Sequence, residues 1–99
     1  MNENKSFSFL AVDLGATSGR AILGTIKNEV LKINEINRFP NPIIDINGYL
    51  YWDLFYLYRQ VLKSLCEINQ QRIDIHSLGI DTWGVDFVCF GNDGEPLRM

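Results

Sequence analysis

Hydrophobic and polar residues alternate along the first part of the chain in a way that predicts three β-strands. The apolar runs cover residues 7–13, 20–26 and 30–39, and short polar or glycine-rich segments separate them. The third run alternates imperfectly, which predicts a β-bulge near Asn34. Because connections this short join antiparallel strands, the pattern predicts a three-stranded antiparallel meander.

The pattern changes after residue 39. Pro40, Pro42 and the pair Asn47-Gly48 interrupt regular structure. The isoleucines between these residues are expected to pack under the sheet; they are Ile43, Ile44 and Ile46.

Apolar residues then recur with helical spacing, which predicts a helix from about Leu54 to Gln70 with Asp53 as its N-cap. The face expected to pack on the sheet carries Leu54, Tyr58, Val61, Leu62, Leu65, Cys66 and Ile68. The opposite face is expected to be solvated and carries Arg59, Gln60, Lys63, Ser64, Glu67 and Asn69.

Two apolar segments follow the helix. Residues 77–81 predict a short buried strand, and residues 85–90 predict another that ends in the turn signal of residues 92–95. The order β-β-β-α-β-β predicts an α/β fold with a mixed sheet and the helix on one face. A return strand would begin where the sequence ends, so we expect residues 1–99 to be the first part of an incomplete domain in a longer protein.

Charge and composition narrow the class of partner. The chain has 46% hydrophobic residues and a net charge of −3, which argues against nucleic acid and anionic membranes as partners. It has no bilayer-length apolar stretch and no signal-peptide core, so we expect a cytoplasmic protein. Cys66 and Cys89 are expected to be reduced, partly buried thiols. His76 is the only histidine and has no metal-ligand spacing to either cysteine.

Chemistry-bearing residues follow directly after the first predicted strand, in the octapeptide Asp-Leu-Gly-Ala-Thr-Ser-Gly-Arg of residues 13–20. Its glycines can adopt positive φ and let a ligand approach the backbone, and successive N–H groups in such a turn form an anion-binding concavity. The hydroxyls and the guanidinium add further donors. The candidate phosphate-binding residues are Gly15, Ala16, Thr17, Ser18, Gly19 and Arg20. The same residues fit an ordinary hairpin loop, and the local pattern leaves both interpretations open.

The carboxylate that begins this octapeptide restricts the ligand. Asp13 would repel a bare triphosphate, and it suits one only if Mg²⁺ lies between them. The segment after Gly19 looks like another strand, and the chain has no Gly-x-x-x-x-Gly-Lys-Ser/Thr loop, so a helix N-terminus is not expected to capture the phosphate. Asp13 is therefore the candidate metal residue.

A second constellation, Asp-Thr-Trp-Gly-Val-Asp-Phe, occupies residues 81–87 and also begins where a predicted strand ends. Ligands bind at the carboxyl ends of strands in α/β sheets. Its candidate substrate-binding residues are Thr82, Trp83, Gly84 and Asp86, which offer hydrogen bonds, an apolar wall and open backbone to a hydroxyl-rich ligand. The alternative is a structural turn with a buried indole.

Together, the segments 13–20 and 81–87 resemble those of the FGGY carbohydrate kinases of the actin-like ATPase superfamily, and most closely the members that act on L-rhamnulose. The resemblance runs from about residue 9 to the end and includes Arg38-Phe39-Pro40-Asn41 and Trp52-Asp53. It implies an RNase H-like domain, one of two that hold ATP and sugar in a cleft. Residues 16–20 would then face the phosphates, Asp13 would lie near Mg²⁺, and Gly84 with its neighbours would contact the sugar.

The resemblance also implies an activity: transfer of the ATP γ-phosphoryl group to the 1-hydroxyl of L-rhamnulose in rhamnose catabolism. It places the general base of the family beyond Met99, so no catalytic base is expected within residues 1–99 and the chain alone is expected to be inactive. Alternatives are another FGGY kinase, such as a fuculokinase, and a non-catalytic sugar-sensing member of the superfamily. A self-contained small β-α module is a third alternative. Isolated, the chain is expected to self-associate through an unpaired sheet edge.

Overall fold

The computed structural model describes residues 5–82, 84 and 88–97. Its elements, in chain order, are β1 (Ser6–Leu14), β2 (Ser18–Lys27), β3 (Val30–Pro40), β4 (Ile43–Ile46), β5 (Tyr49–Trp52), α1 (Leu54–Gln70) and β6 (Ser77–Thr82). The predicted α/β fold is confirmed, and the predicted bounds of the helix agree with those observed. Of the strand predicted over residues 85–90, residues 85–87 lie outside the described residues, and Phe90 makes an isolated bridge with Pro96.

The main sheet has the strand order β3-β2-β1-β6. Strand β1 is antiparallel to β2 and parallel to β6, so the predicted meander and mixed sheet are both confirmed. A parallel neighbour requires a crossover connection, and α1 lies in the segment that makes it. As a consequence, the carboxyl ends of β1 and β6 meet at one edge of the sheet.

Two connections use left-handed backbone to turn tightly. Asn28 and Glu29 both have positive φ between β2 and β3. Asn47 and Gly48 do the same between β4 and β5, and the Gly48 N–H donates to Asp45 Oδ1 at 3.0 Å. An Asn-Gly pair between apolar residues is a strong hairpin signal, so this segment is a β-hairpin and more than an interruption.

Ile43 and Ile46 of this hairpin are not packed under the sheet, so the expectation was wrong for these two residues, whereas Ile44 is partly buried. Ile43 is 54% exposed and Ile46 is 48% exposed, since they pair with β5 in a separate two-stranded sheet. The bulge in β3 is confirmed two residues later than predicted: Asn37 pairs with Ala21 and Glu35 with Ile22, which leaves Ile36 as the extra residue.

The core lies between one face of the sheet and α1. Because side chains alternate along a strand, residues of even number in β1 and their partners in β2 share the face turned to the helix. The buried cluster consists of Leu10, Val12, Ala21, Leu23, Val61 and Ile68. At this interface Asn37 Nδ2 donates to Gln60 Oε1 at 3.0 Å, which ties β3 to the helix.

The predicted buried face of the helix is confirmed at Val61 and Ile68, and Leu65 packs against the core, but the rest of the buried stripe differs from the prediction. Its buried residues are Leu57, Val61, Ser64 and Ile68, whereas Tyr58, Leu62 and Cys66 are exposed. Ser64 was assigned to the solvated face, but its hydroxyl donates to Gln60 O at 2.9 Å and accepts from Asn37 Nδ2 at 3.3 Å. A small polar side chain whose hydroxyl both donates and accepts a hydrogen bond can be buried against a sheet. The prediction for Ser64 was wrong because it considered only the polarity of the side chain.

Strand β6 was predicted to be buried and is exposed along its whole length. It is an edge strand of the sheet, and Leu78 and Ile80 are 43% and 55% exposed. Cys66 and Cys89 are free thiols, as predicted, but both are exposed and not partly buried. Among the described residues, no helix combines the length and apolarity that a membrane span requires. Association of the isolated chain through β6 or β3 stays a prediction.

Candidate functional site

The turn between β1 and β2 is held by hydrogen bonds that its own carbonyl groups accept. The Gly15 N–H donates to Ser18 O at 2.9 Å and closes the turn. Asn41, just after β3, donates to it twice: its backbone N–H to Thr17 O at 3.0 Å and its side-chain Nδ2 to Gly15 O at 2.9 Å. Within the described part of the chain, the N–H groups of the exposed residues Ala16 and Thr17 have no protein acceptor. The turn therefore presents backbone donors to solvent.

The two glycines of this turn are required by close contacts and not by positive φ, so that expectation was wrong. Positive φ occurs among the glycines at Gly48 and Gly94 only, within the described residues. A Cβ on Gly15 would lie 2.8 Å from Ser18 O, and a Cβ on Gly19 would lie 2.4 Å from Cε2 of Phe39. A Cβ at residue 15 would force the backbone carbonyl of Ser18 to move, and a Cβ at residue 19 would force the ring of Phe39 to move, because real Cβ atoms do not approach other atoms this closely.

Three charged residues lie side by side at the carboxyl end of β1. Asp13 pairs with Arg20 across to β2 and with Asp81 across to β6. Opposed residues on neighbouring strands share a face, and this face is the one turned away from α1, because the core residue Val12 points the other way. The two carboxylates that begin the predicted motifs are therefore neighbours on one surface.

The pairing of Arg20 with Asp13 is loose. Arg20 Nε lies 4.0 Å from Asp13 Oδ2, which is beyond hydrogen-bonding distance, and both side chains are partly exposed. Arg20 Nε is buried and has no hydrogen-bond partner among the described residues. A contact of this length contributes little to stability, so Asp13 does not hold the guanidinium tightly.

A second ion pair lies next to Arg20 on β3. Glu35 accepts hydrogen bonds from Nε and Nη2 of Arg38, and Arg38 is the cross-strand partner of Arg20. The hydrogen bond from Arg38 is the largest cause that lowers the pKa of the Glu35 carboxyl, and the charge of Arg20 lowers it further. The same bond raises the pKa of Arg38. The negative charge of Glu35 thus partly offsets the positive charges of the cross-strand neighbours Arg38 and Arg20.

The substrate-binding candidates are only partly described. Thr82 ends β6 and pairs with Leu14, and Gly84 follows it in a turn; both are exposed. They lie at the same end of the sheet as the 15–18 turn, because β1 and β6 are parallel and their carboxyl ends are neighbours. Trp83 and Asp86 lie outside the described residues. The proposed sugar-contact segment therefore begins next to the phosphate-binding candidates.

The catalytic base was expected beyond Met99, and the structure does not test that expectation. Met99 itself lies outside the described residues, which end at Leu97. The site described here therefore consists of binding candidates, and the position of the base stays a prediction.

The arrangement suits an anionic ligand that carries its own cation. Exposed N–H groups and the Arg20 guanidinium attract an anion, and the two carboxylates on the same surface would repel it unless a hard cation intervenes. Among the described residues, no group of three or more His, Cys, Asp or Glu side chains could hold a metal ion by itself. His76 belongs to the other end of the sheet, where its backbone N–H donates to Ser8 O at 2.7 Å and its ring packs against Phe7.

Asn41 and Phe39 were not among the predicted site residues, although both contact the turn. They form part of the sequence Arg-Phe-Pro-Asn, which is one of the segments that resemble the FGGY kinases. Both are 4% exposed. In the sequence Asn41 is a polar residue between two prolines, a pattern that predicts a break in regular structure and not a contact with residue 15.

The chain is similar to curated proteins over most of its length, although no protein-family model matches it. It is 53% identical to the rhamnulokinase of Bacteroides thetaiotaomicron over 92 residues, which make up 93% of this chain and 19% of that protein. It is 46% identical to the rhamnulokinases of Mannheimia succiniciproducens and Oceanobacillus iheyensis, over 88% and 91% of this chain and 18% and 19% of theirs. The chain thus spans about a fifth of the length of the curated relatives it matches. The resemblance to sugar kinases predicted from the two motifs is confirmed.

Proposed function

We propose that this chain, a relative of the rhamnulokinases over 93% of its length, supplies one wall of the cleft of an ATP-dependent kinase that phosphorylates L-rhamnulose at its 1-hydroxyl. The single observation that carries the proposal is the similarity to three rhamnulokinases, at 46% to 53% identity. The product would be L-rhamnulose 1-phosphate, an intermediate of rhamnose catabolism. A cytoplasmic location is part of the same prediction.

The geometry of the 15–18 turn supports a role in ATP-phosphate binding. Ala16 and Thr17 are exposed and their N–H groups have no acceptor among the described residues, so these groups can donate to phosphate oxygens. The hydroxyls of Thr17 and Ser18 and the guanidinium of Arg20 add donors on the same turn. Phosphoryl transfer needs chiefly positioning and charge stabilisation, and this turn provides donors for both.

The residues present also fit Mg²⁺. Asp13 and Asp81 place two carboxylates on one face, and Mg²⁺ in proteins is commonly bound by one or two carboxylates together with substrate phosphates and water. When bound, the ion would offset charge that develops on the transferred phosphoryl oxygens. In this proposal Asp13 holds the ion, Arg20 limits the repulsion between Asp13 and the phosphates, and Thr82 with Gly84 borders the sugar.

The test is a panel of ketoses assayed for ATP consumption with the full-length protein that contains this chain. We expect L-rhamnulose to give the highest kcat/KM, and we expect the 99-residue chain alone to give no turnover because its relatives are about five times longer. A higher kcat/KM for fuculose or another ketose would show that L-rhamnulose is not the preferred substrate, while the assignment as a sugar kinase would stand. Binding of sugar by the full-length protein without ATP turnover would instead indicate a sugar sensor.

A further inference from the structure

We propose that Asn41 is a positioning residue that fixes the direction of the N–H groups of the 15–18 turn toward a bound phosphate. This inference rests on the proposed role of the turn in phosphate binding. It concerns a residue that lies outside the turn and 26 residues away from Gly15 in sequence. The side chain of Asn41 is nearly fully buried, at 4% exposure, so its hydrogen bonds do not compete with bulk water.

The argument begins with the planarity of the peptide bond. In a trans peptide the carbonyl of one residue and the N–H of the next point in opposite directions, so fixing one fixes the other. Asn41 Nδ2 holds Gly15 O at 2.9 Å and thereby sets the direction of the Ala16 N–H. The backbone N–H of Asn41 holds Thr17 O at 3.0 Å and sets the direction of the Ser18 N–H.

Without these two bonds the turn could rotate its peptide planes. A rotated Gly15–Ala16 peptide would direct the Gly15 carbonyl, and not the Ala16 N–H, at the anion. Because a carbonyl oxygen repels phosphate oxygens, such a rotation would replace an attractive group with a repulsive one at the same place. Asn41 thus fixes the peptide plane that carries the Ala16 N–H, one of the two free donors of the turn, and it anchors the Thr17–Ser18 peptide beside it.

The chemistry of the side chain specifies asparagine. Only the NH₂ end can donate to Gly15 O, and reversing the amide would bring Oδ1 against another acceptor. In the observed orientation Oδ1 is buried and has no hydrogen-bond partner among the described residues. The amide therefore keeps its bond to the turn even though its acceptor end goes unpaired, which identifies the Gly15 carbonyl as the group that orients it.

The backbone around Asn41 is itself held in place. Tyr56 Oη donates to Pro40 O at 2.8 Å, and the ring of Phe39 packs edge-on against Tyr56 with centroids 6.2 Å apart. Since Tyr56 lies in the first turn of α1, Asn41 is supported from the helix, which is a rigid element.

The experiment compares Asn41→Ala and Asn41→Asp with Asn37→Ala in the full-length protein. Asn37 is a matched control, because it also joins two elements through its Nδ2 but contacts α1 and not the turn. Substitution of groups that orient metal ligands typically costs about 10- to 100-fold in affinity or activity. By analogy, we expect both Asn41 variants to raise the KM for ATP by about 10-fold. The KM for the ketose should change much less, and Asn37→Ala should lower the melting temperature without raising the KM for ATP.

A second measurement keeps this inference separate from the proposed function. Hydrogen exchange at the amides of Gly15 and residue 41, which donate to Ser18 O and Thr17 O, should accelerate in Asn41→Ala and stay unchanged in Asn37→Ala when measured without nucleotide. This holds whether or not the protein phosphorylates a ketose. If no ketose is phosphorylated while exchange accelerates, the kinase proposal fails and the positioning of the turn stands. If exchange and the KM for ATP are the same in Asn41→Ala and Asn37→Ala, Asn41 contributes only to stability and the inference is overturned.

Discussion

The ring of Phe39 lies so close to Gly19 that a Cβ on residue 19 would stand 2.4 Å from Cε2 of that ring. The two residues are cross-strand partners on β2 and β3. Phe39 therefore covers the backbone directly after the 15–18 turn, and the glycine makes room for an aromatic ring that is 4% exposed.

From this contact we predict that Gly19→Ala destabilises the protein. Forcing one extra methyl group into a packed site typically costs about 1–3 kcal/mol in the free energy of unfolding. Urea unfolding of the full-length protein measures the loss. In the double variant Gly19→Ala/Phe39→Leu the loss should be smaller than the sum of the two single losses, because the shorter side chain relieves the clash. Additive losses would show that the ring is not what excludes the methyl group.

Asp13→Asn should remove activity with little effect on stability. The change deletes one of the two adjacent carboxylates and leaves Arg20 without its nearest anion. We expect kcat to fall by roughly 100-fold or more, because phosphoryl transfer relies on charge stabilisation at the metal and phosphates. Asp74→Asn is the control, since Asp74 is exposed and precedes β6 at the opposite end of the strand from Asp81. Equal activity of the two variants would contradict the role given to Asp13.

The N-cap of α1 gives a prediction that concerns stability alone. Asp53 accepts a hydrogen bond from the Tyr56 N–H at 3.0 Å, as its place before the helical pattern predicted. Asp53→Ala should cost about 0.5–2 kcal/mol of unfolding free energy, because a helix N–H then loses its acceptor. Asp53→Asn keeps an acceptor and should lose less. Denaturant unfolding measures the free energy that each variant loses. If Asp53→Ala and Asp53→Asn lose the same amount, the stabilisation comes from the negative charge and not from the hydrogen-bond acceptor.

Glu35 should titrate below its ordinary pKa of 4.5. Its ionised form is favoured in the folded protein, so the stabilisation is present above the ordinary pKa and is lost as the pH falls through the lowered one. NMR titration of the Glu35 carboxyl checks this. Arg38→Gln should return the pKa toward 4.5 further than Arg20→Gln does, because the hydrogen bond from Arg38 is the larger cause. A larger change in Arg20→Gln would reverse that order.

Local patterns in the sequence were sufficient to predict β1, β2, β3, α1 and the cap at Asp53, since each depends on residues a few positions apart. The same holds for the octapeptide of residues 13–20, which joins β1 to β2 and whose donors and carboxylate could be identified as a candidate phosphate site. The Asn47-Gly48 hairpin could also have been predicted from the sequence, because an Asn-Gly pair between apolar residues is a local signal for a hairpin. The burial of Ser64 on α1 could not be predicted from the sequence, because it depends on hydrogen bonds with Asn37 on β3 and with Gln60 of the same helix.

The sequence by itself determined the strands, the helix and the residue types of the site. Only the tertiary structure decided which of these residues meet: Asp13 beside Asp81, Phe39 over Gly19, and Asn41 against the carbonyls of the turn. The physical reason is that hydrophobic periodicity and secondary-structure propensity depend on residues a few positions apart. The register between strands and the crossover through α1 instead bring together residues that are far apart in the sequence. From the sequence, Asn41 is predicted to lie in a break between strands. Only the fold of the sheet places it against the turn, where it is a candidate positioning residue.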